Sequence, residues 1–194
     1  MTISPIQKRL PGDRDFWLFI GIDAAMFSVL CLTLAYYRET EAVIFYGSQQ
    51  KLSVTLGMLN TLVLLSSSFC VARALKLARQ QQFQKAKHYY WAAIALGCSF
   101  AVIKVAEYIK TVQAGGSYGA NDFFAYYYSF TGLHLFHVLI GMLGLWLSIK
   151  FYCNREVSDE KGYGFPESAG IYWHLVDVVW LFLFLLLYLN PQGG

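Results

Sequence analysis

Of 194 residues, 57% are hydrophobic and only 14% charged, against about 25% charged in an average soluble domain, so a water-soluble globule is excluded. The formal net charge of +3 is small and dispersed along the chain, which leaves no nucleic-acid surface to expect. Cys31, Cys70, Cys98 and Cys153 are scattered, with neither a C-x-x-C pair nor a C-x-x-C-H haem attachment site, and read as small apolar packing residues.

Runs long enough for a hydrocarbon core of about 30 Å fall at Phe16–Tyr36, Ser53–Ala74, Tyr89–Ile109, Tyr127–Ile149 and Ala169–Leu189. The expected fold is therefore all-α: a polytopic membrane protein of five transmembrane helices in one domain over residues 1–194. Basic residues are unevenly shared between the two sides. Lys8, Arg9 and Arg14 precede span one, Arg73, Lys76, Arg79, Lys85 and Lys87 separate spans two and three, and Lys150, Arg155 and Lys161 separate four and five. The other side has only Arg38, Lys51 and Lys110. The positive-inside rule puts the amino terminus in the cytoplasm and the carboxyl terminus outside, in the periplasm. No signal peptide is expected, because no short apolar core with a cleavage site precedes span one.

The leading LPGDRDFW reads as a turn feeding a helix start. Asp23 lies seven residues into span one, roughly 10 Å below the boundary, where a carboxylate must be paired, hydrated or protonated. Span two carries Gly57, Asn60, Thr61 and Ser66 to Ser68, short polar groups expected to pack and to hydrogen-bond across helices or back to their own helix's carbonyls. The following RALKLARQQQFQKAKHYY is basic and made mostly of good helix formers, so both flanking helices are expected to run on into the cytoplasm. Span three sets Lys104 and Glu107 three residues apart, at ion-pair spacing. Snorkelling and a buried partner are equally open for Lys104. The loop QAGGSYGANDFF reads as a tight turn.

In span four His134, His137, Gly141, Gly144 and Ser148 recur at helical spacing on one stripe, which predicts a face packed against protein. Span five puts His174 and Asp177 on one face, followed by Leu181, Phe184 and Tyr188 on the same stripe, with the remaining Leu, Val and Phe expected to face lipid, and Trp173, Trp180 and Tyr188 in interfacial or packing roles.

Depth counted along the helices sorts the ionisable groups into two layers, Asp23 with His174 and Asp177, and Lys104 with Glu107 and His134. The expected contacts are Asp23 with His174 or Asp177, and Glu107 shared between Lys104 and His134. Four readings compete: a bis-His haem, disfavoured because His137 and His174 differ by about 12 Å in depth; a metal held by His134, His137 and Glu107; proton handling at Asp23 or Asp177; and polar groups that fix helix register and line a lipid-filled groove. The last is preferred.

LNTLVLLSSSF in span two, HYYWAAIALGCSFAVIKVAEY in span three, FTGLHLFHVLIG in span four and YWHLVDVVWLFLF in span five resemble, in order and spacing, subunit III of the haem-copper oxidases. The resemblance implies a non-catalytic helical subunit that holds no redox centre. It further implies a catalytic membrane subunit beside it that carries haem and copper or iron, bound phospholipids, and a role in sustaining proton uptake and turnover. The family's buried carboxylate, in a segment of the form FWLF-x-x-E-x-x-x-F, falls on Asp23 in FWLFIGIDAAMF, with Asp in place of Glu. Glu107 matches the family's span-three Glu-Tyr, and His134, His137, His174 and Asp177 match its last two helices. Five-span forms occur in bacterial quinol oxidases and in the accessory protein of nitric oxide reductase. LPGDRDFW, Asp23 and the Lys of IKVAEY look most like the latter, in a bacterial inner membrane. The alternative from another class is a stand-alone membrane metalloprotein or small transporter built on the same His, Asp and Glu set.

Overall fold

The computed structural model describes residues 14–154 and 164–189; within them all regular secondary structure is helical, with no strand. The helices are α1 (Arg14–Thr40), α2 (Ala42–Gln49), α3 (Val54–Arg79), α4 (Phe83–Gln113), α5 (Asp122–Asn154) and α6 (Gly164–Tyr188). Five of them, all but α2, are long and apolar enough to cross a membrane. They match the five expected runs, except that Ser53 precedes α3 and Leu189 follows α6, and each extends beyond its run at one or both ends. The opening LPGD, the topology signals Lys8, Arg9, Arg155 and Lys161, and the rest of residues 155–163 lie outside the described residues.

α3 and α4 form the tightest pair. Arg79 and Phe83 are separated by only Gln80, Gln81 and Gln82, so both helices do extend past the apolar boundary, as their helix-forming composition anticipates. The reversal requires left-handed backbone at Gln81, with φ 59°, a conformation disfavoured in most side-chain-bearing residues. Within the pair Ser67 Oγ donates to the Ala93 carbonyl at 2.9 Å.

The short α2 was not foreseen. Its apolar side buries Phe45 completely, and its polar end fastens the outer ends of two long helices. Gln49 Nε2 donates to the Leu187 carbonyl at 3.0 Å, satisfying one of the carbonyls that α6 leaves unpaired at its terminus. Asn121 Nδ2 donates to Ser48 Oγ at 2.6 Å, while Asn121 Oδ1 accepts the Phe124 amide at 3.1 Å and so caps the start of α5.

α6 occupies the centre of the bundle, packing on α1, α3 and α5. In its most apolar stretch 56% of residues are buried, against 17% for α1. This corrects the expectation that most of span five faces lipid. Trp173, Val176, Val179, Trp180, Leu183 and Leu187 are all buried, so both tryptophans pack inside the bundle and neither lies at its interface. Val178, Leu181, Phe182 and Leu185 remain exposed.

The small residues of α5 differ in what they permit. A Cβ on Gly141 would sit 2.7 Å from Trp173 Cε3, whereas one on Gly144 would meet only Ala169 Cβ at 3.5 Å. Gly141 lets α6 bring its indole against the α5 backbone; Gly144 has room to spare. Gly141→Val is therefore expected to destabilise the bundle by about 1 to 3 kcal/mol through overpacking. Gly144→Ala should change little. Thermal unfolding of the two variants in detergent checks this, and equal melting temperatures would refute the packing role of Gly141.

Candidate functional site: two closed polar clusters

The first cluster lies between α4, α5 and α6. Lys104, fully buried, donates to Glu107 Oε2 at 3.1 Å and to Tyr127 Oη at 3.1 Å, and its third proton goes to Tyr188 Oη. Tyr188 in turn donates to Glu107 Oε1 at 2.6 Å. The ammonium thus has three donors and three acceptors, and both carboxylate oxygens are engaged. Four rings enclose the cation, those of Tyr108, Tyr127, Trp180 and Tyr188, at 5.2, 4.6, 5.1 and 5.2 Å from Nζ to ring centre. Lys104 is therefore a buried, fully partnered cation and does not snorkel. Of the tyrosines that complete the cluster, Tyr188 lies on the stripe read in span five, where it takes the packing role, whereas Tyr108 and Tyr127 carry no sequence signal that sets them apart.

His134 does not share Glu107, contrary to expectation. It is completely buried, lies between Phe100 and Trp180 with ring centres 5.7 and 5.3 Å away, and neither ring nitrogen has a hydrogen-bond partner among the described residues. Three residues on a helix turn the side chain by about 60°, which is enough to aim His134 at α4 and α6 and His137 at α1.

The second cluster joins α1 to α5. Asp23 Oδ1 lies 2.9 Å from His137 Nε2, and His137 Nδ1 is 2.7 Å from the Leu133 carbonyl. A carbonyl can only accept, so Nδ1 carries a hydrogen. The Nε2 to Oδ1 contact then needs exactly one further proton, on the imidazole or on the carboxyl, and either placement leaves the pair neutral overall. Phe27 packs its ring on the same imidazole, 5.1 Å between centres. The expectation that Asp23 reaches His174 or Asp177 is thus corrected: its partner is on α5, not α6.

On α6, His174 Nδ1 pairs with Ser68 Oγ at 2.6 Å, and Asp177 Oδ2 approaches the same ring nitrogen no closer than 3.9 Å. Although Ser, His and Asp meet here, both oxygens address one nitrogen. A nucleophilic triad needs them on opposite nitrogens, so the arrangement is a packing contact. Asp177 is buried, with neither carboxyl oxygen hydrogen-bonded to a described residue. Among the polar residues of α3, Thr61 Oγ1 accepts the Trp180 indole N–H at 3.1 Å and donates to the Gly57 carbonyl at 2.9 Å. Asn60, equally buried, hydrogen-bonds to no described group, so Thr61 and not Asn60 ties α3 to α6.

The candidate metal set of His134, His137 and Glu107 points to three separate environments, and among the described residues no three His, Cys, Asp or Glu side chains come together. Asp23 with His137, and Lys104 with Glu107, are spent on one another.

Removing one member of the Lys104–Glu107 pair strands the other in a dry interior, at a cost of about 3 to 5 kcal/mol, whereas removing both with apolar residues of similar size costs far less. Lys104→Met and Glu107→Leu should each lower the melting temperature steeply, and the double variant should recover most of the loss. Additive losses in that cycle would contradict the pairing. His134→Leu, which removes two unpaired nitrogens, should be neutral or stabilising by about 1 kcal/mol on the same assay; a large loss would mean that the imidazole has a partner.

The family described as Cytochrome c oxidase subunit III matches residues 15–191. The chain is 29% identical over 185 residues to a quinol oxidase subunit 3 of Bacillus spizizenii, covering 92% of this chain and 87% of that protein. It is 28% identical over 182 residues to a cytochrome c oxidase subunit 3 of a Bacillus species, covering 92% and 86%. With a cytochrome c oxidase subunit 3 of Spodoptera frugiperda it shares 35% identity over 133 residues, covering 68% and 86%. A match that runs from the start of α1 past the end of α6, on a fold of five membrane-length helices, places this multi-pass membrane chain in the cytochrome c oxidase subunit III family.

Proposed function

We propose that the chain is an accessory subunit of a bacterial haem-copper oxidase, without a redox centre of its own, seated in the inner membrane beside the catalytic subunit that carries haem and copper. The observation that carries this reading is the family match over residues 15–191. The site geometry agrees with it, because Asp23, Lys104, Glu107 and His137 are committed to internal pairs. The rival reading of a stand-alone metalloprotein or transporter draws on His134, His137, His174, Asp177 and Glu107, of which His137 and Glu107 are already taken by these pairs. The whole of residues 1–194 acts as one domain, with the amino terminus cytoplasmic and the carboxyl terminus periplasmic, an orientation supported by the excess of Lys and Arg around the α3–α4 turn. Phospholipids fill the exposed apolar flanks, and the subunit supports the stability and proton uptake of its partner during aerobic respiration.

A finer reading assigns the chain to a nitric oxide reductase, with iron in the partner and denitrification as the process. It is supported by the LPGDRDFW start, Asp23 and Lys104. The names of the relatives quoted above, all oxidase subunits, favour oxygen as the acceptor.

Affinity purification of the chain from its native membrane in mild detergent tests both. Recovery of a large haem-bearing subunit, with its haem types and its oxygen and nitric oxide turnover measured, is the expected result and separates the two acceptors. A chain that purifies alone, or that retains stoichiometric iron, copper or zinc after chelation, would overturn the proposal. Deleting the chain should shorten the working lifetime of the catalytic complex; an unchanged rate and lifetime would reduce it to an assembly factor.

A further inference from the structure

The buried residues of α1 are unevenly placed. Between Arg14 and Thr33 only Asp23 and Phe27 are buried, and both address one group, the imidazole of His137 on α5. Asp23 Oδ1 lies 2.9 Å from Nε2, and the Phe27 ring meets the imidazole edge-on with 5.1 Å between centres. The outer end of the helix is held by other means. Leu34 and Tyr37 are buried there, Tyr37 packs on Tyr126 and Phe45 at 5.1 and 6.2 Å between ring centres, and Arg38 Nη2 donates to the Leu189 carbonyl at 3.4 Å.

In hydrocarbon this asymmetry has a physical consequence. An apolar helix face gains about as much from lipid tails as from a neighbouring helix, so the exposed Leu18, Ile22 and Val29 do little to keep α1 against the bundle. Lipid tails can equally replace the contact of the Phe19 ring with Tyr172, 5.9 Å between centres. What they cannot replace is the hydrogen bond to His137. Between that contact and the outer anchors the helix is loosened twice, where Ser28 Oγ donates to the Ala24 carbonyl at 2.8 Å and Thr33 Oγ1 to the Val29 carbonyl at 2.9 Å; back-bonds of this kind bend helices.

We propose that the inner part of α1, Arg14 to Phe27, is a hinged strap that His137 alone latches to α5, with its pivot at the outer anchors. Latched, the strap belongs to the rigid bundle. Released, it tilts away and opens the seam between α5 and α6. His137 Nε2 then faces the opening, together with the Tyr172 hydroxyl, which is buried beneath α1 and has no hydrogen-bond partner among the described residues. The device is a property of the chain by itself, so its failure would leave the accessory-subunit reading untouched.

The test measures distances between spin labels on the full chain in nanodiscs, with Cys31, Cys70, Cys98 and Cys153 replaced by Ala. One label pair, Leu18→Cys with Leu143→Cys, spans α1 and α5 at exposed positions; a reference pair, Leu62→Cys with Leu143→Cys, spans α3 and α5. Leu18 stands about 24 Å from Leu34 along the helix, so a tilt of about 15°, inside the range that membrane helices adopt, moves it by about 6 Å. Wild type should give one narrow α1–α5 distance. His137→Ala should lengthen it by about 5 Å or more and broaden it, while the reference pair stays as in wild type. Asp23→Ala and Phe27→Ala, each removing one of the two contacts, should give a smaller shift. Asp23→Asn should remain closed, because an amide can donate to Nε2 and keep the hydrogen bond. An unchanged α1–α5 distance in His137→Ala would overturn the latch. So would an equal broadening of the reference pair, which would mean that the imidazole holds the whole bundle and not the strap.

Discussion

A polar group in hydrocarbon has no solvent to fall back on, and that constraint organises the bundle. Apolar faces of membrane helices gain little from choosing one neighbour over another, because lipid tails offer the same contacts. Choice comes from the few groups that must be satisfied from within. Here Asp23 and His137 join α1 to α5, Lys104, Glu107, Tyr127 and Tyr188 join α4, α5 and α6, and Thr61 with Trp180 and Ser68 with His174 join α3 to α6. Both ionisable pairs are neutral overall, so the membrane interior holds no net charge at either, and the helix arrangement is fixed by a handful of contacts.

These contacts also explain why the family's ionisable residues sit at reactive-looking spacings without forming a reaction centre. Asp23, His137, Lys104, Glu107 and His174 are held by partners on other helices, and His134 by aromatic faces. A subunit built this way is a rigid neighbour, suited to bracing a catalytic subunit.

Much of the fold was legible in the residues. The five spans follow from length and hydropathy, the extended α3 and α4 from helix-forming side chains beyond the apolar boundary, and the protein-facing stripe of α5 from the spacing of its histidines and glycines. What depth along the helix could not reveal was order in the plane of the membrane. Asp23 is level with His174, yet its partner is His137, because counting residues says how deep a group lies and nothing about which helix stands beside it. The centrality of α6 was hidden for a related reason: a helix apolar on every side looks alike whether it faces lipid or protein. The octet of α2 is too short to carry a periodic signal, and it forms where Gln49 and Asn121 offer fixed partners.

The three-glutamine link between α3 and α4 bears on how the protein is made. Two membrane-length helices joined so closely cannot explore independent positions once both have left the ribosome, and the Ser67 hydroxyl already has its carbonyl within the pair. The close link favours insertion of the pair as one helical hairpin, and that hairpin supplies part of the surface against which the central α6 packs.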